Sequence, residues 1–79
     1  MEFFRCPCTE RGNVILDGRD QGPNKDDLGN LLTKMCNEGL HKIALQCPDG
    51  KQCIPKHIEI EIKDTDTISP MEVPFQCEK

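Results

Sequence analysis

Cys47 and Cys53 flank the turn sequence Pro48-Asp49-Gly50, Cys6 and Cys8 flank a single proline, and Cys36 and Cys77 complete a set of six cysteines in 79 residues. Cysteine at this density ligates a metal, cycles between thiol and disulfide, or cross-links the chain. Zinc would need a set such as Cys47, Cys53, His41 and His57. Structural zinc sites usually space paired cysteines by about two to four residues, and five separate this pair. Both histidines also flank predicted strands, where a solvated ring is the ordinary state. A redox pair would show Cys-x-x-Cys or a cysteine heading a helix, and neither is present. Nucleophilic catalysis needs a positioned base. Cys36 and His41 are the sequence-near pair, and nothing around them orients the imidazole. With no paired-carboxylate, Gly-x-Ser-x-Gly or phosphate-loop pattern, the chain is expected to be no enzyme and to hold no cofactor and no metal.

Cross-linking remains, and composition favours it. Only 35% of the residues are hydrophobic, with three Phe and no Trp or Tyr, so a single domain of residues 1–79 buries a thin core. Such a core supplies about 3–5 kcal/mol, and each long loop closed by a disulfide adds on the order of 3–4 kcal/mol. Cys6, Cys8, Cys36, Cys47, Cys53 and Cys77 are therefore all expected in disulfides, which implies an oxidising, extracellular setting. Pro7 holds its segment extended. Cys6 and Cys8 are expected to diverge to opposite sides and reach different partners. Cys47 and Cys53 are offset in the hairpin read around them, so each is expected to bond elsewhere.

Charge narrows the partners. The net charge is −4 and the ten Lys and Arg are scattered, which excludes nucleic acid as the main partner because phosphate binding needs a basic stripe. No apolar run approaches the roughly 20 residues of a membrane span. The start, MEFFRC, lacks the basic and apolar regions of a secretory signal, so the secreted reading takes this sequence as a mature form.

The elements that would position these residues read as follows. Asn13–Leu16 is a short apolar strand, followed by a loop over 17–25 in which Asp17-Gly18-Arg19 is a turn with an exposed Arg. Residues 24–37 read as a helix, about 25–37. Asn24 would be its N-cap, Asp26 and Asp27 would sit in its first turn, and Gly39 would end it. Leu28, Leu31, Leu32, Met35 and Cys36 would share one apolar face. Pro48-Asp49-Gly50 suits a type I turn with a bulge and predicts a hairpin over about 40–55. Ile58, Ile60 and Ile62 alternate with Glu59, Glu61 and Lys63, a half-buried strand over 57–63. Residues 64–79, with no helical period, read as an extended tail tied down by Cys77. The expected fold is α+β, a small disulfide-rich domain with one helix on a three-stranded antiparallel sheet.

The Cys-x-Cys after EFFR, and MCN followed by ALQCPDGKQC and IP, resemble CXC-type chemokines and are similar to the chemokine-like glycoproteins of cytomegaloviruses. The resemblance implies the pairs Cys6–Cys36 and Cys8–Cys53, leaving Cys47 for Cys77. It also implies that Glu2 to Arg5 trigger a receptor while the loop after Cys8 sets selectivity.

The expected function is that of a secreted, cysteine-rich ligand, antagonist or decoy that binds an extracellular protein, receptor or soluble ligand. Phe3, Phe4 and Arg5 are the candidate contacts, since Phe and Arg are favoured at interfaces; the alternative is that both Phe are core. A rival reading is a protease inhibitor presenting the 17–25 loop, with Arg19 as its specificity residue. Another is a module of a larger extracellular protein.

Overall fold

Ile58, Ile60 and Ile62 can reach a core together only from a strand, because side chains two apart share a face there. The computed structural model, which describes residues 1–47, 52–54 and 56–78, places them on such a strand. The strands in chain order are β1 (Glu2–Arg5), β2 (Asn13–Leu16), β3 (Arg19–Pro23), β4 (Lys34–Cys36), β5 (Gly39–Gln46), β6 (Gln52–Ile54), β7 (Ile58–Ile62), β8 (Met71–Glu72) and β9 (Gln76–Glu78). A four-stranded antiparallel sheet has the order β3-β2-β5-β7. A second sheet runs β4-β1-β8, and β6 pairs with β9. One core cluster joins the two larger sheets: Val14, Ile43, Leu45 and Ile62 from the first, Phe4 from β1, and Val73 and Phe75 from the tail.

The expectation of an α+β domain is thus corrected. Among the described residues there is no helix, and the fold is all-β. The helix read over 24–37 fails for a local reason. In a helix the Asn24 carbonyl would accept the amide of Leu28; here it accepts that of Leu32 at 2.8 Å. The Asp26 carboxylate instead takes the amides of Leu28 and Asn30, both at 2.9 Å, and Gly29 adopts φ +86°. Asp side chains compete with the helical ladder in this way, and a left-handed Gly ends the competition. The presumed apolar face is dispersed: Leu28 is 87% exposed and Met35 is exposed, whereas Cys36 is buried.

Two strand assignments also change. β5 fills the first half of the expected 40–55 hairpin, but its edges are taken by β2 and β7. The return strand, β6, pairs with β9, and the Pro48-Asp49-Gly50 turn lies outside the described residues. Residues 17–25 are not an open loop. Asp17 (φ 50°) and Gly18 (φ 84°) form a two-residue hairpin turn of the type that needs positive φ at both positions, and Arg19 opens β3 opposite Leu16.

The tail is part of the core. Val73 and Phe75 donate their amides to the carbonyls of Arg5 and Pro7, each at 2.8 Å, extending the parallel pairing of β8 on β1. Pro74 falls between these donors on the open side of the sheet, where its missing N–H costs no ladder bond. Along the other strand Phe4, Cys6 and Cys8 are all buried. Cys6 and Cys8, two apart on extended chain, therefore face the same side and not opposite sides.

Candidate functional site

The turns at one end of the sheets frame an open groove of about 530 Å³, a size that accepts a side chain or a few residues of a partner. The β2–β3 hairpin contributes Leu16, Asp17 and Arg19, β4 and the turn after it contribute Met35, Cys36 and Asn37, and His41 enters from β5. His41 stands there because of strand parity: it shares a face with Ile43 and Leu45, the buried residues of β5. Its side chain is only 13% exposed.

Both ring nitrogens of His41 are engaged. Nδ1 lies 2.6 Å from the Asp17 carboxylate, and Nε2 lies 2.6 Å from the Asn37 carbonyl. A carbonyl and a carboxylate can only accept, so both nitrogens donate, and only the imidazolium has two N–H groups. The Asp17 hydrogen bond, followed by the Asn37 carbonyl, accordingly raises the His41 pKa above its ordinary 6.5. Asp17 moves the other way. The amide of Lys42, donating to Oδ1 at 2.8 Å, and then the His41 hydrogen bond hold its carboxyl below the usual range.

Cys36 lies at the groove floor, 6% exposed. Burial pushes its thiol pKa up, and the charges of Glu2 and Asp17 push it further. A thiol held protonated beside an imidazole with no vacant nitrogen is not arranged for nucleophilic attack. His41 is likewise unable to ligate a metal while both nitrogens donate. The geometry suits recognition: Leu16, Met35 and Arg19 line one groove whose walls are tied together by His41.

The other expected site residues are dispersed. Phe4 is fully buried, so the contact role expected for it is replaced by a core role. Phe3 pairs with Met35, and Arg5 donates from Nε to Thr33 Oγ1 at 3.3 Å. Cys6 and Cys36 are buried free thiols, and burial drives the Cys6 pKa up to about 12. Since Glu2 pairs with Cys36 across β1 and β4, Cys6 lies four strand positions away, about 13 Å along the sheet. A disulfide needs Cα atoms within about 7 Å, so this register does not accommodate the Cys6–Cys36 pair that the chemokine resemblance implies. Cys8 and Cys47 are both buried. Cys53 and Cys77 oppose each other in the β6–β9 register, with their side chains outside the described residues. His57 is exposed, apart from the groove.

The sequence offers His41 for weighing as a zinc ligand and as a base for Cys36, and places neither it nor Asp17 or Met35 in a binding site. The parity of His41 with Ile43 and Leu45 is the signal that could have found one of them. Comparison with known proteins finds no matching family model, no similar curated sequence and no similar solved structure.

Proposed function

We propose that this chain is a secreted binding domain that engages an extracellular protein through the groove between the β2–β3 hairpin and the β4–β5 turn. The observation that carries this reading is the composition of that groove, which Leu16, Met35 and Arg19 line together on braced walls. Met and Arg are the residue types enriched at interfaces, and a braced site loses little conformational freedom on binding. An even count of six cysteines in a short chain favours an oxidising compartment. Contact shifts from the Phe3–Arg5 segment to Arg19 and its neighbours, because Phe4 is committed to the core.

The test is a binding screen of the immobilised chain against a panel of receptor and soluble-ligand ectodomains, with an Arg19→Glu/Met35→Asp variant alongside. Saturable binding to a panel member, weakened at least about tenfold in the variant, is expected, since losses at interface anchors run to about 2 kcal/mol and more. Binding that the variant retains in full, or no binding across the panel, would overturn the reading.

A further inference from the structure

His41 does more than line the groove. Its two hydrogen bonds, 2.6 Å to Asp17 and 2.6 Å to the Asn37 carbonyl, join the β2–β3 hairpin to the β4–β5 turn, which are the two walls of the groove. The Asp17 wall also meets β5 through its amide to the Lys42 carbonyl and through Oδ1 to the Lys42 amide, and the Asn37 wall runs on into β5 along the chain. Across the mouth, however, the imidazolium is the bridge. A neutral ring has a single N–H, so on losing its proton it must surrender either the Asp17 contact or the Asn37 contact.

We propose that His41 is a protonation-dependent latch that sets the shape of the binding groove, closed when the ring is doubly protonated and released when it is neutral. The proposal rests on the groove being the binding surface and adds how that surface is regulated. Several charged or titratable groups surround the ring, and Met1 also brings the N-terminus to the groove. Asp17 faces the ring from the β2–β3 turn and Arg19 lies beyond it on β3. Cys36 and the Asn37 carbonyl face it from β4 and the following turn, with Glu2 of β1 beside Cys36. Ile60, its partner on β7, is uncharged. Asp17 is the close charge, so the net field holds the proton on.

The sign follows from the two partners. The folded pKa of His41 is raised, so the latch is fully made below 6.5 and is lost as pH rises through that raised value. The folded pKa of Asp17 is lowered, so the latch is kept as pH falls until that lowered value is passed. The closed form is the binding-competent one, because fixed walls cost least to dock against. Affinity for the partner therefore falls on the alkaline side, by up to about tenfold per unit of pKa difference between the bound and free chain.

The experiment is an NMR pH titration of the free, full chain, following the His41 ring nitrogens, the amide of Lys42 and the methyl of Met35. Expected are a midpoint above 6.5, two protonated ring nitrogens on the acid side, and a Met35 shift with the same midpoint. In Asp17→Asn the midpoint drops to 6.5 or below, and in His41→Gln the Met35 methyl no longer responds. A wild-type midpoint at or below 6.5, or a Met35 methyl that ignores the His41 titration, would overturn the latch. Because no partner is present, a positive titration with an empty ectodomain screen would leave the latch standing and remove the binding reading instead.

Discussion

Asn24 and His41 do the same mechanical job in opposite chemical styles. Each side chain adds a tie where its strand leaves a β-ladder, Asn24 beyond the β2–β3 pairing and His41 beyond the β2–β5 pairing. Asn24 is fully buried; its Oδ1 accepts the Gly12 amide at 2.9 Å and its Nδ2 donates to the Cys6 carbonyl at 2.8 Å. Its backbone adds a bond to the Gly12 carbonyl. An amide carries donor and acceptor at every pH, so this tie is permanent. His41 performs the corresponding task near water with an ion pair, whose donor count depends on a proton. A neutral clamp in the core contributes stability; a titratable clamp at the surface contributes less stability and can be undone.

The sharpest way to break that contrast is to make the core clamp titratable. Asn24→Asp should lose about 3 kcal/mol at pH 7, the scale of an uncompensated buried charge, measured by urea unfolding. The deficit should shrink toward pH 4, because a protonated carboxyl regains a donor for the Cys6 carbonyl. A loss that does not vary with pH would show that the clamp is not what fails. Gly12→Ala tests the same knot sterically. An added Cβ would stand 2.6 Å from the Gln46 carbonyl oxygen, which is backbone and cannot swing away. A cost of about 1–3 kcal/mol is expected from overpacking, independent of pH.

At the other clamp the effects are smaller and pH-dependent. His41→Gln should cost about 1 kcal/mol at pH 6, a charge-assisted hydrogen bond discounted for its exposed partner. The difference from wild type should vanish above the raised His41 pKa, a trend that parallel unfolding curves at pH 6 and pH 9 would reveal. Least of all, Arg19→Ala should stay within about 0.5 kcal/mol of wild type, since Arg19 is exposed. Its cost belongs to binding. A large destabilisation in unfolding experiments would make Arg19 a structural residue and weaken the groove reading.

What the sequence reveals here follows the range of the forces involved. The strand of Ile58, Ile60 and Ile62 and the turn at Asp17-Gly18 are legible because period and turn chemistry are local. The 24–37 segment misleads because Asn24 and Asp26 suit a helix start as well as they suit the turn they build, and apolar residues at helical spacing outvoted Gly29. Those three determine the local path through side-chain bonds and a left-handed φ. In the tail, Met71, Val73 and Phe75 do alternate, and the flanking prolines hid it, although Pro on the open side of an edge strand is harmless. The groove was least legible. Asp17 and His41 are brought together only when β2 and β5 pair, and no local pattern announces that register.

One strand sets the schedule by which the chain can fold during synthesis. β1 is the middle strand of its sheet: Phe4 lies opposite Lys34 on one side and Met71 on the other. A ribosome releases Phe4 well before its parallel neighbour Met71 and the core side chains Val73 and Phe75. Pairing this distant in sequence carries a large loop-closure cost and is slow. Residues 1–8, with Cys6 and Cys8 among them, therefore lack this side of their shelter until residues 71–75 are made. Completion of this sheet waits for residues 71–75 to emerge, and Cys6 and Cys8 meet the redox environment before they meet the core.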